Sequence, residues 1–130
     1  MLEYRWNGMW EKLLYIAKRN RIETNVYGED IEYFDQPKAY RFNYQPIDGE
    51  LNVKESGERK SARYQAFVDR RYFQGVIKSG DKAYLSDDDV LEKELEDLVS
   101  SDNEYCEKAN YRIIKVLPQN FKMRIVFEKL

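Results

Sequence analysis

Between residues 39 and 45 apolar and polar side chains alternate: Tyr40, Phe42 and Tyr44 on one side, Arg41, Asn43 and Gln45 on the other. A period of two is the mark of a strand with one face buried. The pattern returns at Tyr64, Ala66 and Val68. It returns again near the C-terminus, where Phe121, Met123, Ile125 and Phe127 alternate with Lys122, Arg124, Val126 and Glu128. Asn110 to Leu117 is rich in Ile, Val and Tyr, and Pro118-Gln119-Asn120 reads as a turn, so residues 110–129 predict a hairpin. Ile31 and Tyr33, running into Phe34, and Asp81 to Leu85 add short strands. Tyr27-Gly28 marks a turn, Arg19 to Thr24 a polar connection, and Gly75 to Gly80 a reversal. Proline lacks the donor that a ladder needs, which puts Pro46 at a strand end or an edge.

Three segments break the alternation. Residues 1–11, with Trp6, Gly8 and Trp10 in a polar setting, read as an N-terminal arm. Residues 48–62 hold two glycines, two serines and seven charges, with Leu51 and Val53 as the only sizeable apolar groups; they predict a long exposed loop. Residues 86–109 predict an acidic helical insertion. Ser86 and then Asp87, Asp88 and Asp89 suit a helix start, where caps and acids are favoured. Val90, Leu91, Leu95, Leu98 and Val99 form one face of a helix over about 88–99. Residues 12–19 fit two patterns. Trp6, Trp10, Leu13, Leu14 and Ala17 make a helical stripe, yet Leu13 to Ala17 also suits a strand buried on both faces. Six or seven short strands and one helix describe a mainly β domain over residues 1–130, a small antiparallel β-barrel or sandwich with one inserted acidic helix.

Composition narrows the chemistry. The 130 residues include no histidine, which removes the commonest general base and metal ligand. Cys106 is the one cysteine, so neither an internal disulfide nor a zinc site is expected. Acids flank it, which raises a thiol pKa rather than activating it. Asp87–Asp89 lacks the spaced acids, glycine and late glutamate of a calcium loop. No glycine-rich phosphate loop is present. These readings predict neither cofactor, metal nor catalytic residue. No apolar run nears the roughly 20 residues of a membrane span, and Met1 to Asn20 has no signal-peptide pattern, so a soluble chain made in a cytoplasm is expected.

Eleven tyrosines, six phenylalanines and two tryptophans suit half-buried sheet faces and subunit interfaces. Charge is uneven. Ser86 to Glu107 carries ten acids and one base, Lys93, a balance of −9 that leaves +7 for the rest of a chain of net −2. Such asymmetry marks a solvated element or a partner surface. Basic and aromatic residues interleave at Tyr40-Arg41-Phe42 and Arg70-Arg71-Tyr72-Phe73, a pattern that also suits stacking and phosphate contacts with single strands.

Tyr44-Gln45-Pro46-Ile47-Asp48-Gly49-Glu50 resembles the head-closure (stopper) proteins of tailed phages, in which a strand ends in Gln-Pro-Ile or Gln-Pro-Leu before a small polar and acidic run. The order of elements agrees over most of residues 12–129: an early strand and hairpin (12–34), the Gln45-Pro46-Ile47 strand, a long polar loop, a short strand, Gly80-Asp81-Lys82 ahead of Tyr84, and a C-terminal hairpin. The resemblance favours a strand at 12–19. It implies a virion structural protein of the neck, a small β-barrel repeated as an oligomeric ring, usually of twelve copies, below the portal and adaptor. Its expected partners are further copies of itself, the adaptor, tail-completion or tail-terminator proteins, and packaged DNA, with no membrane. Its expected place is the head–tail junction, after synthesis in the bacterial host cytoplasm.

In that family the loop after the Gln-Pro strand points into the channel and can help to hold back DNA until ejection. Here the gating residues would be Asp48, Gly49, Glu50, Lys54, Glu55, Gly57, Glu58, Arg59 and Lys60. The 86–109 stretch is longer than the family pattern suggests. Partner contacts are expected at Trp6, Trp10, Asp87, Asp88, Asp89, Glu92 and Glu96. The alternatives are another connector or tail ring protein, or a small β-barrel nucleic-acid-binding module.

Overall fold

In the computed structural model, residues 11–47 and 62–130 are described. Strands β1 (Lys12–Ala17), β2 (Arg19–Thr24), β3 (Asp30–Phe34), β4 (Lys38–Phe42) and β5 (Tyr44–Pro46) are followed by β6 (Arg63–Asp69) and a short helix α1 (Arg70–Phe73). Then come β7 (Lys82–Leu85), a 3-10 turn (Glu92–Glu94), helix α2 (Leu95–Ser100), β8 (Tyr111–Gln119) and β9 (Lys122–Lys129). The fold is mainly β, as the alternation predicts. Seven strands form one antiparallel sheet in the order β4-β1-β7-β8-β9-β6-β5, and β2 and β3 pair as a separate ribbon.

The sheet must roll, because of its edges. β4 and β5 are the two edge strands, yet Asn43 alone separates them in the chain. Consecutive Cα atoms lie about 3.8 Å apart, so the two edges meet at one corner. The run that sequence reads as one strand, 39–45, is thus shared: Lys38–Phe42 pairs with β1, and Tyr44–Pro46 with β6. Phe42 and Tyr44 both remain buried, so the alternation survives the change of partner.

The inner face holds Leu14, Ile16, Phe42, Tyr44, Ala66, Val68, Ile77, Leu85, Tyr111, Ile113, Met123, Ile125 and Phe127. Each fully buried Leu, Ile or Phe here contributes roughly 1.5–3 kcal/mol. Residues 12–17 are a strand buried on both faces. Leu14 and Ile16 point into this core, while Leu13, Tyr15 and Ala17 join a second cluster with Phe34, Tyr84, Leu95, Leu98, Val99, Cys106 and Ala109. That second cluster seats residues 86–110, a lobe across the outer face of β1 and β7.

Four expectations change. Arg19–Thr24 is strand β2, not a connection; it pairs with β3 alone and buries no face, so it shows no alternation. Pro118 and Gln119 belong to β8, opposite Met123 and Lys122, and the turn is Asn120-Phe121, with Asn120 at φ +48°. Asparagine tolerates that region better than most residues. Phe121 therefore stands at the turn, 84% exposed, instead of facing the core. The helix begins near 92 rather than 88. Asp87 is the reason: its Oδ1 accepts from the amides of Asp89 and Val90, so the cap closes a local turn and no helix follows it.

Gly80 is a position where glycine is required. Its φ is +98°, and a Cβ there would lie 2.8 Å from Cζ of Arg19. Its amide donates to Ile113 O, and the neighbouring Asp81 carboxylate, 2% exposed, accepts from the amides of Arg19 and Lys78. These bonds lock the corner between β1 and β2 to the start of β7.

Candidate interaction surfaces

The acidic lobe is built around two buried polar links. Asp87 Oδ2 accepts from the Tyr111 hydroxyl at 2.8 Å and lies 3.4 Å from Lys129 Nζ, which also bonds Asp89 at 2.6 Å. Burial alone would raise the Asp87 carboxyl. Tyr111, the two turn amides and Lys129 outweigh it and hold the group below its ordinary value. At the other link the Tyr84 hydroxyl donates to Asp102 Oδ2 at 2.5 Å, beside Cys106. Burial, then Asp102 and Cys106, push the Tyr84 hydroxyl far up. The Cys106 thiol is also raised, chiefly by burial, and Asp102 adds to it.

The expected partner contacts therefore divide. The side chain of Asp87 is 4% exposed and holds the lobe to β8 and β9, which corrects its assignment as a docking residue. Asp89 is exposed and paired with Lys129. Glu92 accepts from the Leu13 amide at 3.2 Å and lies 3.7 Å from Arg41. Asp88 and Glu96 are exposed, as are Glu94 and Asp97, and none of these four meets a cation among the described residues. Trp6 and Trp10 lie outside the described residues.

Gln45 and Pro46 are exposed on the edge strand β5, opposite Gln65 and Tyr64, so Pro46 sits on an edge as its missing donor requires. The Ile47 amide donates to Arg63 O at 3.0 Å, which closes the base of the β5–β6 connection. Asp48, Gly49, Glu50, Lys54, Glu55, Gly57, Glu58, Arg59 and Lys60 lie outside the described residues. The strand that leads to them is bolted to the lobe. The buried Tyr44 hydroxyl accepts from the Ser86 amide at 2.9 Å, lies 2.7 Å from Ser86 Oγ and donates to Leu13 O.

A second surface was legible in sequence only at its Arg70-Arg71-Tyr72-Phe73 motif. At the β8–β9 turn, Arg70 donates its amide to Phe121 O and its guanidinium to Asn120 O. In register, Leu117 lies opposite Arg124, and Arg124 opposite Phe67, with Arg124 Nε donating to Gln65. Phe67, Tyr72, Leu117 and Phe121 are exposed there by 44%, 69%, 39% and 84%. Arg70, Arg71, Lys122 and Arg124 stand among them against one acid, Asp69, which Arg71 holds at 3.0 Å. That pairing, with the Arg71 amide, keeps the Asp69 carboxyl below its ordinary value.

The two interleaved motifs fare differently. Tyr40 and Phe42 pack with Phe73 against the core, while Arg41 reaches Glu92. In the second motif Phe73 turns inward and Tyr72 outward, on α1, whose Arg71 amide is capped by Asp69. Cavities of about 230 and 250 Å³ lie among the described residues. One lies between residues 34–37 and the lobe, and its acids Asp35, Asp102 and Glu104 face no base in the lining. The other is bounded by Ile16, Lys18, Asp35, Lys38, Tyr40 and Val76. No group of metal-ligating side chains occurs among the described residues. Comparison with protein-family models, with curated proteins and with solved structures found no match.

Proposed function

We propose that this chain is a non-catalytic structural subunit of a tailed-phage head–tail connector, of the head-closure type, repeated as a ring that seals the filled head and joins it to the tail. The observation that carries the reading is the edge strand β5. Gln45 and Pro46 are exposed there, the half-buried Ile47 that follows is clasped through its amide to Arg63 O, and the chain runs straight into the 48–62 segment. A channel loop needs a rigid root, and Tyr44 supplies one by tying that strand to Ser86.

The ionisation pattern supports a structural role. Glu32, Asp69 and Asp87 are each held low by fixed partners, the reverse of what a general acid at neutral pH needs. The exposed chemistry is arranged as surfaces, one acidic and one basic and aromatic, as suits a subunit among neighbours. The twelve-fold copy number, the adaptor and tail partners and the virion location come from the resemblance and belong to this proposal.

Particles made without the chain test it. Filled heads that leak DNA and fail to join tails are expected; normal infectious particles would remove the assignment. One observation favours a second reading, a module for single-stranded nucleic acid: Phe67, Tyr72 and Phe121 are exposed beside Arg70, Lys122 and Arg124. That reading predicts salt-sensitive binding of single strands by the monomer, weakened by Phe121→Ala.

A further inference from the structure

The two charged surfaces lie on different parts of the same sheet. The lobe covers the outer face of β1 and β7; the basic surface spans β6, β9 and the far end of β8. β9 joins them. Lys129, near one end, is bound to Asp89 of the lobe, while Lys122, at the other end, belongs to the basic surface. Seven residues of strand put roughly 23 Å between those two lysines. Neither surface neutralises the other within one molecule: Arg70, Lys122 and Arg124 meet no carboxylate at ion-pair distance among the described residues, and Asp88, Glu94, Glu96 and Asp97 meet no cation.

We infer that the basic, aromatic surface of one copy docks on the acidic lobe of a second copy of this chain. The occupant follows from charge. Exposed Phe121, Phe67 and Tyr72 supply the apolar centre, Arg70, Lys122 and Arg124 its cationic surround, and Leu91 of the lobe, 51% exposed beside Glu92 and Glu94, offers an apolar counterpart within an acidic one. A contact between two different patches of one chain is head-to-tail, so each copy keeps one free surface of each kind and the contact repeats. A nucleic acid satisfies the basic surface alone and leaves the lobe unused. The inference rests on reading the chain as a repeating subunit, but not on where the ring sits.

The test uses the full chain and two charge-reversed variants, E94K with E96K on the lobe, and R70E with K122E on the basic surface. All four positions carry their side chains toward solvent or at its margin, and NMR dispersion checks that each variant folds. Sedimentation of the wild type up to near-millimolar concentration is expected to show association that weakens with salt. Each variant alone should associate at least about tenfold more weakly. An equimolar mixture of the two should recover association, because each then meets a partner of opposite sign. Phe121→Ala, which touches no charge, should weaken the wild-type contact as well. A wild type monomeric throughout, variants that associate as well as the wild type, or a mixture that recovers nothing would each overturn the inference. So would retention of a single-stranded oligonucleotide on the Arg70–Lys122 surface by a chain that stays monomeric. Association without a place at the head–tail junction leaves this interface standing and removes only the connector assignment.

Discussion

Asp87 shows how far one side chain can mislead and then explain. In sequence it is the first of three aspartates ahead of a helical stripe and reads as a cap. In the fold it caps a turn of its own and binds Tyr111 and Lys129. Its carboxyl, like that of Glu32 between Arg112 and Arg19, is held below its ordinary value. A depressed carboxyl contributes stability that is complete above the ordinary range near ~4 and is lost as pH falls through the lower folded value. Melting temperature should therefore fall on acidification below about pH 4, and less steeply in Asp87→Asn. At neutral pH that variant should be less stable by about 1.5–3 kcal/mol, the scale of hydrogen bonds to a charged group. An unchanged acid limb would contradict the assignment. Tyr44→Phe tests the second bolt. Loss of the hydroxyl leaves the Ser86 amide without its acceptor, and urea unfolding should register about 1–3 kcal/mol.

At the scale of elements, legibility followed burial. β4 and β6 each bury one face, and β9 buries Met123, Ile125 and Phe127 on one face with Val126 alone buried on the other, so their period of two could be read directly. β2 buries neither face and left no period to read. The shared strand 38–46 was legible as a strand but not as two, because a change of partner leaves the side-chain alternation intact. The lobe's apolar stripe was correct in Leu95, Leu98 and Val99 and wrong in Leu91, which lies before the helix and outside the cluster. Leu95 is fully buried in that cluster, and Leu95→Ala should cost about 2–5 kcal/mol. Hydrogen exchange should show the loss first in residues 86–110, with the β8–β9 core protected longest. Uniform loss across the sheet would show that the lobe is not a separate layer.

The basic surface belongs to the whole molecule. Its residues come from positions 67 to 72 and 117 to 124, joined by the register of three strands and by the amide and guanidinium of Arg70 on the β8–β9 turn. Pattern within a single strand cannot reveal such a site, although the interleaved Arg70 to Phe73 motif lay at its centre. The charge imbalance of the acidic segment, in contrast, was plain from counting. Together the surfaces favour a subunit that works through its neighbours. Phe121→Ala should change stability by no more than about 0.5 kcal/mol, since the ring is exposed, yet weaken assembly. Equal losses of fold and assembly would show that Phe121 is part of the core.

The connector assignment is tested most directly by an electron-microscopy reconstruction of the assembled particle. This chain is expected as a ring at the head–tail junction, with the residues after Gln45-Pro46-Ile47 directed to the channel. A chain traced to any other part of the particle, or absent from it, would contradict the assignment.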